Sequence, residues 1–567
     1  MKAVREHIIS DFSTAESINN FRLTATGTLE KREGFSRIDL FTSPVRGAVS
    51  SEYTTYITAG SCVYSVSESG TVLLGELTNC QFSDDTEKAE MFIESGCVYI
   101  VGGGGFYKYI PEKNSLAEVS CYIPVIRINA GSSTVGEEHE ERNLVSPRVR
   151  VSVLTTDTAE RIKLWGKSTN VVGAYINGKA VRTDKYAITY EPDGDAYIRF
   201  LEKYEEGDEL FVEYDLNSDK YPLMRKEYFS AKKTYVHREG LRNRLFLYND
   251  IDGTVITSEF GAFQTAELEM FGYFTESSLF LVGDGLLPPI SMQSLDTRTV
   301  VMTKSAIHEL TASNSSTLGG VSTKKFSTKL VTPEMGIGEN SGIVLYEDEL
   351  YFLNENGLYR FAYNAETFEY YAIRIDFADY CTPHHSELTN MSLFLLRSRH
   401  ELWCVHSEGA LVYSLRFKCW FTYSGFNAVG RMLLHMRNAA FYSDNALYGF
   451  IEGSTTDIDA GFDAEYVSKP IDLGDIFEEK TLYGFGAAFD RIENARLICE
   501  LENDKGRKIS TELKAEDIGD PSPIVLRTHM RLGRSKYLIC RLLSPADAAP
   551  ANIRSIMFRF RESGGAK

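Results

Sequence analysis

Alternating acidic residues in the segment DIDAGFDAE are the clearest candidates for chemistry in this chain of 567 residues. Asp457, Asp459, Asp463 and Glu465 carry carboxylates at i, i+2 and beyond, and oxygen ligands of this kind can hold Ca²⁺. The spacing lacks both the glycine and the terminal glutamate of an EF-hand loop. An acidic loop that joins two domains is therefore the favoured interpretation.

Two other groups of residues contain possible metal ligands, one of asparagine and aspartate and one of histidines. Asn249, Asp250 and Asp252 before Gly253 are typical of a hairpin turn. The histidines that lie close in sequence are His384, His385, His400 and His406. Zinc needs three or four converging ligands, and adjacent side chains on a strand point to opposite faces. We therefore predict no metal site.

The glycine run at residues 102–105 could suggest a phosphate-binding loop. Such a loop continues into G-K-[ST] and a helix, whereas Phe106 and Tyr107 follow here and favour a strand. The run is therefore predicted to form a hairpin turn, and no cofactor site is expected.

Propeller scaffolds can carry glycosidase activity, which depends on carboxylates. A glycosidase needs two carboxylates about 5–10 Å apart across one sugar. The sequence has 79 acidic residues and singles out no pair. Residues 67–71 resemble a sialidase turn but lack its Asp and Trp. The sequence thus predicts no catalytic residue and a protein that is not an enzyme.

A recurring phrase of bulky residues, a turn and an aromatic residue predicts the scaffold. Each copy alternates with period two on both sides of its turn, which is typical of a β-hairpin. The clearest copies are residues 57–70, 92–107, 343–359, 393–413 and 433–450. Weaker copies are residues 245–257, 279–282 and 299–310. Degenerate hairpins of this kind predict an all-β fold with a β-propeller of six or seven blades.

Changes in pattern divide the chain into five parts. Asn177-Gly178 and Asp193-Gly194 join short strands in a module of their own, and the last hundred residues have longer alternating strands. The predicted parts are an N-terminal arm (1–45), propeller blades (46–145), an inserted small β-sandwich (146–216), further blades (217–455) and a C-terminal β-sandwich (456–567).

Charge and targeting signals restrict the partners. The net charge of −19 argues against binding to the outside of a nucleic-acid duplex but suits a channel through which DNA passes. The first 12 residues lack an apolar core, and no stretch approaches 18 apolar residues, so neither a signal peptide nor a membrane span is expected. Nine cysteines without a C-x-x-C pair indicate free thiols in a reducing cytosol.

The N-terminal phrase resembles the opening of phage tail-stabilisation, tail-hub and nozzle proteins, in which it precedes a propeller. The residues that carry the resemblance are Asn20, Arg22, Gly27, Leu29, Lys31, Arg32, Gly34 and Phe35. The order of propeller, inserted β-domain and C-terminal sandwich is similar as well. If Gly34 adopts a positive φ, a β-branched replacement there should disturb the turn.

The resemblance implies a virion component of a short phage tail, assembled in the host cytoplasm. Such a subunit forms a homo-oligomeric ring, of about six copies, around the DNA exit path. It contacts adaptor and portal-side tail proteins and tail fibres or a plug, while DNA passes without sequence-specific binding. A lumen lined mainly by Asp and Glu is expected.

Two other functions remain open from the sequence. The first is a receptor- or carbohydrate-binding propeller, such as a tail spike or adhesin, and the second is a glycan hydrolase. Sugar binding uses exposed aromatic platforms, but the three tryptophans are Trp165, Trp403 and Trp420. The last two are predicted to lie in the strand core.

Overall fold

The computed structural model describes residues 4–562 except 85, 131–135, 155–160, 194, 202–203, 206, 218, 231, 240–241, 263–270, 317–321, 455, 459, 475–476, 490–494, 515–523, 530–531 and 550–551. Fifty strands and one α-helix lie in these residues. The prediction of an all-β propeller with an inserted and a C-terminal β-sandwich is confirmed.

An arm of five short strands opens the chain. These strands are β1 (Arg5–Ile9), β2 (Ala15–Asn19), β3 (Phe21–Leu23), β4 (Leu29–Lys31) and β5 (Phe35–Leu40). Within the arm, only β3 and β4 pair with each other. Every other strand that pairs with the arm lies beyond residue 400. The arm is thus held by the distant end of the chain.

Blades I and II are four-stranded antiparallel sheets. Blade I consists of β6 (Val45–Ser50), β7 (Thr55–Ala59), β8 (Cys62–Ser67) and β9 (Gly70–Glu76). Blade II consists of β10 (Glu90–Glu94), β11 (Cys97–Gly102), β12 (Gly105–Ile110) and β13 (Ser115–Glu118). Gly103 and Gly104 have φ of 57° and 78°, so the glycine run makes the tight turn between β11 and β12.

The inserted domain interrupts the propeller after blade II. Its strands are β14 (Val125–Ala130), β15 (Glu137–Glu138), β16 (Arg148–Leu154), β17 (Ile162–Ile176), β18 (Lys179–Ala180), β19 (Tyr186–Tyr190), β20 (Asp195–Phe200) and β21 (Glu209–Leu216). The first half of β17 pairs with β20 and the second half with β21, and Gly166 at φ 72° lies between them. One strand thereby belongs to both layers. The sheet begins at Val125, earlier than the boundary of 146 drawn from the sequence.

The helix α1 (Lys220–Phe229) leads back into five further blades. Blade III has β22 (Lys233–Glu239), β23 (Arg242–Tyr248), β24 (Thr254–Thr257) and β25 (Leu279–Leu281); blade IV has β26 (Pro289–Leu295), β27 (Arg298–Thr303), β28 (Ala306–Ser316) and β29 (Ser322–Pro333). Blade V has β30 (Val344–Tyr346), β31 (Glu349–Asn354), β32 (Gly357–Asn364) and β33 (Glu369–Ile375); blade VI has β34 (Ser392–Leu396), β35 (Glu401–His406), β36 (Gly409–Ser414) and β37 (Cys419–Ser424). Blade VII has β38 (Met432–His435), β39 (Asn438–Ser443) and β40 (Ala446–Phe450).

The arm closes the ring of seven blades. β5 pairs antiparallel with β40 and supplies the outer strand of blade VII, from Phe35 opposite Phe450 to Leu40 opposite Ala446. The inner strands β38 and β6 are in contact, so blade VII meets blade I. The first and last propeller segments therefore share one blade.

A small hairpin and the C-terminal sandwich complete the chain. The hairpin is β41 (Thr456–Asp457) and β42 (Ala460–Gly461). The sandwich strands are β43 (Ala464–Ser468), β44 (Lys480–Phe489), β45 (Arg496–Asn503), β46 (Lys508–Lys514), β47 (Ile524–His529), β48 (Arg534–Ser535), β49 (Leu538–Ser544) and β50 (Asn552–Glu562). The apolar faces of its two sheets pack together, since alternate residues of β45 and β49 are buried.

The arm also joins the sandwich to the propeller. β2 lies between β37 of blade VI and β43, so one nine-stranded sheet runs from the propeller into the sandwich. β1 and β4 pair with β50 in the opposite layer. One apolar core accordingly contains Phe12 and Leu29 of the arm, Trp403 of blade VI and Phe485 and Phe558 of the sandwich.

Candidate functional site

The N-terminal phrase forms a buried polar junction between the arm, blade VI and the loop that precedes the sandwich. Asn20 follows β2 in the left-handed region, at φ 52°, which asparagine tolerates better than most residues. Its Oδ1 accepts from Arg32 Nε at 2.9 Å and from the Ser424 backbone N–H at 3.0 Å. Its Nδ2 donates to Ser424 Oγ at 3.0 Å and to the Asp463 carbonyl at 2.9 Å. One side chain thus fixes three segments.

Arg32 uses all five of its N–H donors at this junction. Besides Asn20, Nη1 donates to the Glu33 carbonyl at 2.8 Å and to Asp457 Oδ1 at 2.9 Å. Nη2 donates to the Ser424 carbonyl at 2.8 Å and to Asp457 Oδ2 at 2.5 Å. The side chain is 1% exposed. A planar fork of this kind is what bidentate carboxylate recognition requires, and a lysine could not reproduce it. We call Asn20, Arg32, Ser424, Asp457 and Asp463 the junction cluster.

Asp457 therefore has a different role from the calcium ligand considered above. Its carboxylate is engaged by Arg32, and its Oδ1 also accepts from the Phe35 backbone N–H at 3.3 Å. Glu465 forms an ion pair with Arg541 at 3.0 Å. Asp459 lies outside the described residues. The acidic segment contributes one carboxylate to the junction because it runs beside β5, where a buried arginine needs an anion.

A second set of charges extends the junction toward blade VI. Glu33 pairs with Arg399, and Arg22 lies 3.6 Å from the same carboxylate. Glu401 is 2% exposed and accepts from Trp403 Nε1 at 3.0 Å. Burial raises the pKa of Glu401, against the opposing charge of Arg399. Burial alone would lower the pKa of Arg399, but Glu33 and Glu401 raise it overall. Arg399 consequently stays charged between two carboxyl groups.

Lys31 is 2% exposed on the other side of the junction cluster. Its Nζ donates to the Pro545 carbonyl at 3.0 Å and lies 4.8 Å from the centre of the Phe462 ring. Burial lowers the pKa of Lys31 to about 8, which nearby carboxylates such as Asp463 oppose. The lysine links β4 to the sandwich and loses charge above neutral pH.

Gly34 lies where two backbones approach each other. A Cβ atom there would lie 2.0 Å from the Thr456 carbonyl oxygen, whereas its φ lies outside the left-handed region. The condition of a positive φ at Gly34 is therefore not met. Glycine is required for space, because β41 passes too close to admit a side chain. Gly27, at φ 80°, is the residue of the phrase that needs glycine for its conformation.

The apolar residues of the phrase anchor β4 and β5. Leu29 is fully buried in the core shared by arm and sandwich. Phe35 packs its ring 5.2 Å from Phe441, 5.6 Å from Phe450 and 6.0 Å from Phe426. The aromatic cluster holds β5 in blade VII, so it supports closure of the propeller.

The structure brings Asn20, Lys31, Arg32, Gly34 and Phe35 to one junction. Arg22 belongs to its charged extension, while Gly27 and Leu29 shape and anchor the β3–β4 hairpin. Sequence reasoning missed four partners of these residues, which are Glu33, Arg399, Glu401 and Ser424. It named a fifth partner, Asp457, from the alternating acidic segment, but only as a possible calcium ligand.

A separate set of residues, which we call the axial cluster, lies around Glu90 at the start of the inner strand β10. It consists of Lys88, Glu90, Lys233, Arg431 and Tyr442. Burial raises the pKa of Glu90, and the charges of Lys233 and Lys88 oppose that shift. Burial also raises the pKa of Tyr442 to about 12, with a contribution from Glu90. Residues of blades II, III and VII thus interact electrostatically around Glu90.

The remaining candidates from the sequence lie apart. His400 is hydrogen-bonded to the Tyr346 hydroxyl at 2.6 Å, His406 is buried in blade VI, and the side chains of residues 384 and 385 lie outside the described ones. Asn249 Oδ1 accepts from two following backbone N–H groups, as a hairpin turn requires. Trp403 and Trp420 are buried as predicted. The described residues contain no group of three or more His, Cys, Asp or Glu that could hold a metal ion.

No helix within the described residues has the length and apolarity that crossing a bilayer requires.

No protein-family model and no curated protein matches the chain. Among solved structures, the CNH domain of AfRom2 is 9% identical over 74% of this chain and 99% of that chain, with a TM-score of 0.33. The WD40 domain of SCAP from fission yeast is 9% identical over 74% and 98%, with a TM-score of 0.32. A glycoside hydrolase family 43 arabinoxylan arabinofuranohydrolase from Bacillus subtilis is 9% identical over 77% and 99%, with a TM-score of 0.20.

The prediction that the chain is not an enzyme is contradicted by these comparisons and is corrected. Several of the matched structures are glycoside hydrolases, including an exo-beta-1,3-galactanase from Phanerochaete chrysosporium. The prediction rested on the absence of a local motif, but a pair of catalytic carboxylates is defined by its distance in space. At these TM-scores the matches assign no particular activity to this chain.

Proposed function

We propose that this chain is a structural subunit of a phage tail, a tail-hub or nozzle protein that forms a homo-oligomeric ring around the DNA exit path. The proposal includes docking to adaptor or portal-side tail proteins and to tail fibres or a plug. It places the protein in the virion after assembly in the host cytoplasm. The net charge of −19 supports a lumen lined mainly by Asp and Glu, which DNA passes without adhering.

The observation that carries the proposal is the convergence of the N-terminal phrase on one buried junction. Arg32 and Asn20 join the arm to blade VI and to the loop before the sandwich. Buried, bidentate hydrogen bonds are directional, so they specify the relative orientation of these parts. A subunit that must transmit load in a ring around pressurised DNA requires such a rigid connection between propeller and sandwich.

The test is immunogold labelling of particles from a producing culture, with antibody raised against this chain. Label concentrated at one vertex, on the tail, is the expected result. Label on cells, or protein found free while particles remain unlabelled, would refute the assignment. A matched pair of variants sharpens the test. Arg32→Met should reduce the number of complete tails, whereas Arg182→Met, which alters an exposed ion pair with Asp184, should not.

Glycan hydrolysis is a second candidate function, and the axial cluster favours it. Glu90 is a carboxyl group with a raised pKa, which is the property of a general acid. Glu90 begins β10 and Lys233 begins β22 of the next blade, and these two strands are in contact. The charges of Lys233 and Glu90 influence each other, and Glu90 contributes to the raised pKa of Tyr442. Release of reducing sugar from a panel of bacterial surface glycans, lost in Glu90→Gln with the fold intact, would support this function. No release from any glycan by the wild-type protein would count against it.

A further inference from the structure

One rim of the propeller is apolar and acidic. β9 is the last strand of blade I and β5 the last strand of blade VII, and no further strand pairs with either in the described part of the chain. Thr71 of β9 donates a hydrogen bond to Asp39 of β5, so the two strands approach each other at this point. Leu40, Val72 and Leu73 are 54%, 54% and 59% exposed. We call this surface edge I; it consists of Asp39, Leu40, Glu68, Val72, Leu73 and Glu76.

The charges of edge I are predominantly negative. β5, β8 and β9 together with the turn between β8 and β9 contain three acidic residues and a single basic one, Arg37. Exposed apolar side chains beside an unpaired strand are a liability unless a partner covers them. Edge I is therefore suited to a partner surface that is apolar and basic.

Another rim has the complementary properties. β28 and β29 of blade IV have 11 and 12 residues, so this hairpin is the longest in the propeller. β29 carries three lysines and no acidic residue, and it is the last strand of its sheet. Gly283 N–H donates to Thr328 Oγ1 at 2.9 Å, which brings the loop after β25 onto this hairpin. We call this surface edge IV; it consists of Leu281, Leu286, Lys325, Lys329 and Leu330.

The apolar part of edge IV matches that of edge I in size. Leu281, Leu286 and Leu330 are 50%, 75% and 51% exposed. Lys325 and Lys329 are exposed and lie on the same strand as Leu330. Each edge therefore combines three exposed apolar side chains with at least two charges of one sign.

The two edges lie on nearly opposite sides of the propeller. Contacts between inner strands place the blades around the ring in chain order, so blade IV is three of seven steps from blade I. Edge I also includes β5 of blade VII, which is three steps from blade IV in the other direction. The two edges of one molecule therefore cannot meet each other, but edge I of one copy can meet edge IV of the next.

We propose that the chain associates head to tail with further copies of itself, edge I of one subunit packing against edge IV of its neighbour. Such a contact is heterologous, and it closes into a ring when the rotation between successive copies permits. Leucine and valine side chains fill the centre of the contact, and the lysines of β29 face the acidic residues of blade I and β5. The proposal rests on the ring assembly proposed above and specifies the surfaces that build it.

The test uses two full-length variants with one edge disabled in each. Val72→Lys with Leu73→Lys disables edge I by repelling Lys325 and Lys329. Leu281→Asn with Leu330→Asn disables edge IV by removing its exposed apolar side chains without adding a charge that the lysines of the first variant could attract. Leu223→Asp is the control, because Leu223 is 70% exposed on α1, far along the chain from both edges. Mass is measured by light scattering at micromolar concentration for each protein alone and for an equimolar mixture of the two variants.

The expected results are oligomers for the wild type and for the control, and a mass near 63.7 kDa for each variant alone. The mixture should form a species of two chains and no larger one, since only one pair of intact edges remains. That result also shows that both variants are folded. An edge variant that still forms wild-type oligomers, or a mixture that stays monomeric while the wild type associates, would overturn the head-to-tail contact.

The same measurement separates this inference from the tail assignment. A wild-type protein that is monomeric in solution but labels phage tails would overturn the edge contact and leave the tail assignment standing. A protein that forms edge-dependent oligomers but labels no particle would support the edge contact and overturn the tail assignment.

Discussion

Replacement of Arg32 by methionine is the sharpest test of the junction cluster. The change removes five hydrogen bonds and leaves the carboxylate of Asp457, which is 13% exposed, without its cation. Breaking one side of a buried ion pair costs about 3–5 kcal/mol. Because Asp457 retains some contact with water, we expect about 3 kcal/mol. At about 1.4 kcal/mol for each factor of ten, the arm should open roughly a hundredfold more often.

Hydrogen exchange measured by mass spectrometry can localise this loss. Amides of β2 to β4, such as Asn20 N–H bonded to the Thr422 carbonyl, should exchange roughly a hundredfold faster in Arg32→Met. Amides of β16 in the inserted domain should be unchanged. Arg32→Lys keeps the charge but has three donors instead of five, and should fall between wild type and Arg32→Met.

Two results would refute this reasoning about Arg32. One is an acceleration of less than about fivefold in the arm, since a loss below roughly 1 kcal/mol is typical of an exposed ion pair. The other is an equal acceleration in the arm and in the inserted domain, which would indicate general unfolding. Arg182→Met, at an ion pair whose arginine is 81% exposed, supplies the baseline.

Three further predictions concern the same region. Gly34→Ala should lower the midpoint of thermal unfolding, because its Cβ would lie 2.0 Å from the Thr456 carbonyl oxygen. The control Gly342→Ala should change the midpoint little, because nothing lies within 4 Å of its Cβ. Equal midpoints for the two variants would contradict the close approach. Burial lowers the pKa of Lys31 to about 8, so the unfolded chain binds more protons between pH 8 and the ordinary lysine pKa, and stability from this residue should rise with pH in that window. Urea denaturation of Lys31→Met should lack that rise relative to the wild type, and parallel pH profiles would contradict it. Deletion of residues 1–41 should leave one edge of β40 and one edge of β50 unpaired, because β5, β1 and β4 are removed, and light scattering should detect aggregation. A monomeric, fully folded product would contradict the role of the arm.

Local patterns predicted the blades and the C-terminal strands well. Apolar and polar residues alternate in residues 481–489 and 495–502, two of the long strands predicted near the C-terminus, and these ranges correspond closely to β44 and β45. A strand that is buried on one face shows this period of two in its own sequence. The turn at Asn177-Gly178 is likewise local, with φ of 47° and 74°.

The arm and the junction could not be predicted in the same way. The contact of Asn20 with Ser424 spans 404 positions, and that of Arg32 with Asp457 spans 425. No periodicity within either segment specifies its partner, since the pairing depends on where the propeller brings the chain. The resemblance singled out Arg32 and Gly34, but the reason for each residue type is visible only in three dimensions. Arg32 binds the carboxylate of Asp457 with two nitrogens, and Gly34 lies against the backbone of Thr456.

Closure of the propeller by β5 has a consequence for synthesis on the ribosome. Phe35 emerges early, whereas Phe450, its partner in the register of blade VII, is made 415 residues later. At about 5–20 residues per second, the arm waits roughly 20–80 s before its place exists. During that time the arm lacks its strand partners beyond residue 400, including β40, and the blades already translated remain an open arc. The nascent chain therefore depends on slow, late docking of its own beginning, and chaperones that bind extended apolar segments have their longest opportunity there.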